Sequence, residues 1–390
     1  MDWKTMWHYR IIDFGSPIMD FENTVQQVRL QSTIGGNRLR LHIDNSINAG
    51  DMEIRSITVS KECDGSAVPV TVGGASAPVI PAGKKIITDA AEFEVTAGDV
   101  LCVRIDFERI NGLQSLCQTW AAQSWQSVFF SYDAPEMALS STDVVPFLQY
   151  DIHKPNICMG LTQADVLTGD DVKTLAMFGD SITHMSYYTD ALIRRIMREY
   201  PGKATVLNAG MGGNRLCYDA TYVADMKEHS SIFGKAGFLR FREDVFGSMQ
   251  PDAVLVLEGI NDISHCFQFG HLDETPTAEM FAEKLTEIVE EAHMGGAKIY
   301  LCTILPEEIF QNEPWYEKCE ALRREINGWI RTQAIAEGVI DFEPVASATA
   351  APGKLREGFS IDGLHPNEYG GTLMADSLPL EEILFSTDFR

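Results

Sequence analysis

A serine lies far along this chain from a histidine and a carboxylate that neighbour one another, each in a setting suited to hydrolytic chemistry. Ser181 stands in Gly179-Asp180-Ser181-Ile182, directly after the apolar run Leu175-Ala176-Met177-Phe178, and Asp362-Gly363-Leu364-His365 lies near the other end. A serine hydroxyl is a weak nucleophile until a base within hydrogen-bond reach takes its proton, and a carboxylate fixes the tautomer of that base. Asp362 precedes His365 by three residues and could fill that role. The setting of Ser181 adds to the case. A β-like run, a glycine able to turn tightly and a helix-forming stretch from Tyr187 to Tyr200 put it at the carboxyl end of a strand. Open α/β sheets place ligands there, and free backbone N–H groups favour a developing oxyanion. Taken alone, the same serine reads as a helix N-cap.

The elements that must position these residues change character near residue 170. From about Thr24 to Phe107 the chain reads as short strands broken by turn signals such as Gly35-Gly36, Asn48-Ala49-Gly50-Asp51 and Pro81-Ala82-Gly83. Arg38 to Ile43 and Val103 to Phe107 alternate polar and apolar residues with period two, and Ile54 to Val59 is rich in β-branched residues. Such a series predicts an antiparallel sandwich. Beyond the polar stretch Thr168-Gly169-Asp170-Asp171-Val172-Lys173 the rhythm becomes strand, loop, helix. Strands are predicted at 174–178, 204–207, 253–257, 298–302 and 339–342, with segments between them long enough for helical crossovers. Ala278 to Met294 has apolar residues at helical spacing, opens near Thr277 and closes at Gly295-Gly296. A second helix is predicted from Pro314 through Trp329 and Ile330 towards Gly338. The expected organisation is a β-sandwich domain over 1–170 and a parallel-sheet α/β domain over 171–390.

Two further blocks fall on the same predicted sheet edge. Asn208-Ala209-Gly210-Met211-Gly212-Gly213-Asn214 follows the second strand, and Glu258-Gly259-Ile260-Asn261-Asp262 follows the third. Read singly, Gly213 serves only a turn and Asn261 only its own loop. Asp180 and Asp262 read as structural hydrogen-bonders rather than acids.

Together the four blocks resemble the SGNH, or GDSL-type, hydrolases: Gly179-Asp180-Ser181-Ile182, the second glycine of Met211-Gly212-Gly213-Asn214, Gly259-Ile260-Asn261-Asp262 and Asp362-Gly363-Leu364-His365, in family order. The amino-terminal half also looks like that of two-domain bacterial members. The resemblance implies a flavodoxin-like three-layer α/β/α domain with a parallel sheet, preceded by an antiparallel, jelly-roll-like sandwich. It implies a serine esterase with Ser181 as nucleophile, His365 as general base and Asp362 orienting the imidazole. The backbone N–H groups of Ser181 and Gly213 and the Asn261 amide would then form the oxyanion hole. No cofactor is implied. Relatives often carry glycine where this chain has Met185, which bears on the shape of the pocket, and His184 is a candidate pocket residue. Relatives of this kind act on acetylated carbohydrates, short-chain esters or lipids.

Bulk properties narrow the choice. The chain has 390 residues, enough for two domains with their own cores, and 56 acidic against 31 basic residues for a net charge of −25. Such a chain repels phosphate backbones and anionic lipid, which argues against nucleic acid or membranes as partners and for a small-molecule or carbohydrate ester. The amino terminus offers no uninterrupted apolar stretch to serve as a signal-peptide core, so the expectation is cytoplasmic. The eight cysteines contain no Cys-x-x-Cys pair and read as buried thiols. His265 and His271, with Cys266 beside the first, lack zinc-ligand spacing, so no metal is expected. Trp120 and Trp125 suit packing better than a sugar platform. The expected function is hydrolysis of short-chain, chiefly acetyl, esters. A lipase or lysophospholipase and a non-catalytic carbohydrate-binding protein are the alternatives.

Overall fold

The computed structural model describes residues 1–62, 66–121, 123–150, 154–349 and 351–386. The chain separates into two compact units, Met1–Val172 with Ile196–Leu207, and Lys173–Arg195 with Asn208–Arg390.

The first unit is built of antiparallel sheets. Its long strands Met19–Gln31, Met52–Lys61 and Val100–Leu113 lie side by side, with Val103 opposite both Val28 and Val59. In Ala91–Val95 burial alternates residue by residue, as strand geometry requires of Ala-Glu-Phe-Glu-Val. A second sheet joins Asp2–His8, Leu161–Thr168 and Gly36–Asn45. These sheets are consistent with the expected sandwich. Trp125 is fully buried against Trp7 and Tyr9, with ring centroids 5.7 and 5.2 Å away, and serves the core.

The second unit carries the candidate site. A five-stranded sheet contains β1 (Lys173–Gly179), β2 (Ala204–Gly210), β3 (Ala253–Leu257), β4 (Lys298–Cys302) and β5 (Gly338–Ile340), in the order β2-β1-β3-β4-β5. The β1–β3, β3–β4 and β4–β5 pairs are parallel. Leu175 to Phe178 and Ala253 to Leu257 are buried throughout, the continuous apolar pattern of strands covered on both faces. The helices used below are α1 (Ser181–His184), α2 (Tyr187–Glu199), α3 (Gly237–Phe246), α4 (Ile260–Gln268), α5 (Ala278–Met294), α6 (Tyr316–Thr332) and α7 (Glu368–Ser377). Helix α5 has the predicted bounds. Thr277 caps it by accepting from Met280 N–H, and Phe281, Leu285, Ile288, Val289 and Ala292 form its buried stripe. Burying each large member of that stripe stabilises the unit by roughly 1.5–3 kcal/mol.

Strand β1 is one residue longer at each end than expected, β5 starts one residue earlier and α6 starts at Tyr316 rather than Pro314, and three further boundaries differ for reasons the structure shows. Strand β2 runs on through Asn208-Ala209-Gly210 because Asn208 is buried and bonds Thr183 O from within the sheet. Helix α6 stops at Thr332, where the Gln333 side chain accepts from Ile335 and Ala336 N–H and turns the chain. Strand β5 ends at Ile340, since Asp341 turns its carboxylate to Thr303 and Arg331 and Pro344 then starts a short helix. Among the described residues no helix is long and apolar enough to cross a membrane.

Candidate active site

The last position of β1, where the chain enters the turn, admits only glycine. A Cβ on Gly179 would lie 2.2 Å from Thr183 Oγ1 and 2.4 Å from Leu257 O. Asp180 follows as the N-cap of α1, its carboxylate accepting from Ile182 N–H at 2.9 Å. The cap is thus Asp180, and Ser181 sits one residue inside with its hydroxyl free of capping. It meets His365 instead: Ser181 Oγ lies 2.8 Å from His365 Nε2, although the two residues are 184 apart in sequence.

The His365 segment is a closed turn. Asp362 Oδ1 accepts from Leu364 and His365 N–H at 3.0 and 2.9 Å, while Oδ2 lies 2.7 Å from His365 Nδ1. Burial raises the Asp362 pKa, but the His365 hydrogen bond and charge, together with these N–H groups, outweigh burial and hold it well below the usual carboxylate range. An ionised carboxylate can only accept, so Nδ1 carries a proton, and in the neutral imidazole Nε2 then presents a lone pair to the Ser181 hydroxyl. Ser360 staples the turn by accepting from Gly363 N–H and donating to His365 O. From outside, Glu308 and Ile309 N–H donate to Gly363 O at 2.7 and 3.2 Å. Asn367 then caps α7.

The second and third blocks interlock. Gly213 has φ of 69°, a left-handed conformation that favours glycine, and the Phe233 ring packs on its Cα. Asn261 and Asp262 lie in the first turn of α4 rather than on a loop. Asn261 Nδ2 donates to Asn214 O at 2.8 Å, and the Asp262 carboxylate accepts from Leu216 and Cys217 N–H at 2.7 and 2.8 Å. Burial pushes Asp262 up to about 6 against the pull of those donors, and pushes Asp180 up to about 7 against its Ile182 bond. Both aspartates therefore hold backbone, in keeping with their expected structural role.

Each of the three donors expected for the oxyanion keeps a hydrogen without a described acceptor. Asp180 occupies Ile182 N–H, and the Ser181 N–H has no acceptor among the described residues. Gly212 N–H bonds His184 Nδ1 and Asn214 N–H bonds Met211 O, whereas Gly213 N–H has no described acceptor. The Asn261 amide keeps one hydrogen beyond the one given to Asn214 O. His184, expected at the pocket, is 2% exposed beneath the second block, and Met185 is likewise buried. Sequence reasoning missed Ser360, the Glu308-Ile309 clamp and Arg240. The last sits beside Phe241 and four residues before Asp244, a charged pair on the buried side of α3 that could have signalled it.

A family model, the GDSL-like lipase/acylhydrolase family, matches residues 177–373. No curated protein matches the chain. Among solved structures it is similar to LAE5, an alpha/beta hydrolase enzyme from the metagenome of Lake Arreo. Identity is 19% over 53% of this chain and 92% of that one, with a TM-score of 0.39. It is similar to a catalytic mutant of Axe2, an acetylxylan esterase from Geobacillus stearothermophilus, at 20% identity over 56% and 97% of the two chains and a TM-score of 0.39. A GDSL-like lipase from Bacteroides thetaiotaomicron shares 18% identity over 52% of this chain and 84% of its own, with a TM-score of 0.33.

Proposed function

The chain belongs to the GDSL-like lipase/acylhydrolase family, and from that premise we propose that this ester hydrolase works through an acyl-enzyme on Ser181, with short acyl esters of carbohydrates, acetyl above all, as substrates. The observation that carries the proposal is the unbroken relay from Ser181 Oγ to His365 Nε2 at 2.8 Å and from His365 Nδ1 to Asp362 Oδ2 at 2.7 Å.

In the proposed reaction Ser181 Oγ attacks the ester carbonyl carbon while His365 Nε2 takes its proton. The carbonyl oxygen gains charge among Ser181 N–H, Gly213 N–H and the Asn261 amide. His365 then gives the proton to the departing alcohol oxygen as the C–O bond breaks, leaving an acyl-Ser181 ester. Water, deprotonated by the same imidazole, attacks that ester and releases the acid and the serine. Each oxyanion donor supplies about 3 kcal/mol of transition-state stabilisation in reactions of this type. Residues 171–390 constitute the catalytic domain in this reading. The acidic surface, with a net charge of −25, supports small or carbohydrate esters over anionic lipid.

The test is a screen of acetylated sugars and acyl esters of rising chain length with the wild type and Ser181→Ala. The expected result is a maximum at acetyl or other short chains and a loss of at least about 1,000-fold in the variant. A maximum at long chains replaces the carbohydrate reading with a lipase, and unchanged activity in Ser181→Ala removes the acyl-enzyme.

A further inference from the structure

Three of the four sequence blocks meet at one buried cation, and we infer that Arg240 is a positioning residue for the hydrolysis, holding the Ser181 turn and the Gly213 loop at the separation where their N–H groups serve one oxyanion. This rests on the proposed roles of Ser181 and Gly213.

Arg240 projects from α3 and is 3% exposed. Its five guanidinium N–H donors go to five different residues. Nε bonds Asn214 Oδ1 at 2.7 Å; Nη1 bonds Ala209 O at 3.0 Å and Asp244 Oδ2 at 2.7 Å; Nη2 bonds Gly179 O and Glu258 Oε1, each at 2.9 Å. Gly179 ends the strand before the nucleophile turn, Ala209 and Asn214 flank the Gly213 loop, and Glu258 precedes the Asn261 block. Neutralising buried carboxylates would need only the two acidic partners. The other three donors go to neutral oxygens, all on the segments that carry the candidate oxyanion donors.

The ties reinforce one another. Gly179 O also accepts Met211 N–H at 2.9 Å, so the turn and the loop are joined twice at one atom. Asn214 passes the contact onward, donating to Phe233 O and Lys235 O at 2.7 and 2.8 Å. Beneath the guanidinium lies the Phe178 ring, 4.0 Å from Cζ, which fixes the plane of the fork. A planar group with five fixed donors can hold this pattern, and a lysine ammonium with three cannot.

Arg240→Lys in the full chain tests the inference, because it keeps the charge and discards the fork. Active sites are counted with a serine-directed phosphonate, and acetyl-ester kinetics are read alongside inhibition by an alkylboronic acid, whose adduct on serine mimics the tetrahedral anion. The expected result is a fall in kcat per counted site of about 10- to 100-fold with KM changed less than about threefold. The boronate affinity weakens by the same factor as kcat. An arginine that only supports the fold lowers the melting temperature and the number of countable sites while leaving kcat per site and boronate affinity unchanged, and that outcome overturns the inference. If Arg240→Lys does not fold, Asn214→Ala takes its place, since it removes the acceptor on the Gly213 loop and keeps the arginine. A severalfold fall in both kcat and boronate affinity supports the inference, and unchanged values overturn it. Ser181→Ala run in parallel separates the two claims. An inactive Ser181→Ala beside a fully active Arg240→Lys sinks the positioning role alone, while an active Ser181→Ala sinks the acyl-enzyme and the positioning role with it.

Discussion

The two halves of the candidate site are held in opposite ways. On the nucleophile side, Gly179, Ala209, Asn214 and Glu258 converge on Arg240 in a fully buried polar network. On the base side, the Asp362–His365 turn lies at the surface, with the two side chains 26% and 19% exposed. It is held by its own backbone, by Ser360 and by two N–H groups from the loop after β4. Donors for a developing charge must be fixed before the charge appears, and burial behind a charged network provides that. The imidazole must receive and release a proton near solvent, and a self-contained turn suits that task.

The sharpest way to break this comparison is Asp362→Asn. The amide can donate to Nδ1, which would turn the protonated nitrogen towards Ser181. Turnover should fall about 1,000- to 10,000-fold with little change in melting temperature. Steady-state kinetics checks this, and a loss under tenfold would mean that the turn does not depend on the carboxylate for its tautomer.

Asn261→Ala probes the buried side. It removes a proposed oxyanion donor and the bond to Asn214 O, so kcat should fall about 100- to 1,000-fold while KM stays within about threefold. Equal kcat in mutant and wild type would remove Asn261 from the site.

The smallest expected effect concerns the loop that clamps the base side. Glu307 is 1% exposed, its Oε2 has no described partner, and burial with the nearby Glu320 charge pushes it up to about 8, against Arg323. Between the unfolded value near 4.5 and the folded value near 8, the folded chain binds a proton that the unfolded chain has released. Stability from this group is therefore full below about 4.5 and is lost as pH rises towards 8. Glu307→Gln removes the loss, so its melting temperature should gain on the wild type from pH 5 to pH 8. Parallel curves would refute the assignment. Asp180 and Asp262, raised in the same sense, tilt both proteins alike.

Much of the fold could be read from local pattern. Strands β3 and β4 and helix α5 match their expected bounds because apolar runs and helical stripes report burial directly. Three of the four blocks pointed to one sheet edge because each follows a strand, whereas the His365 block follows none in that sheet. What stayed hidden depends on partners remote in sequence. That Asp180 rather than Ser181 caps α1 was not decided by Gly-Asp-Ser, which offers two acceptable caps. His184 lies one residue before the variant Met185, yet it folds under Gly212 N–H. Arg240 bonds carbonyls 31 and 61 residues away, and backbone oxygens leave no trace in a sequence.

The clamp on Gly363 O has a consequence for heat. Beyond the bonds it makes within itself and to Ser181, the half-exposed turn is tied down by two backbone N–H groups from one loop. Segments fastened this lightly open at lower free energy than the sheet beneath them. On heating, activity is therefore expected to be lost at this short turn before the domain that carries it melts.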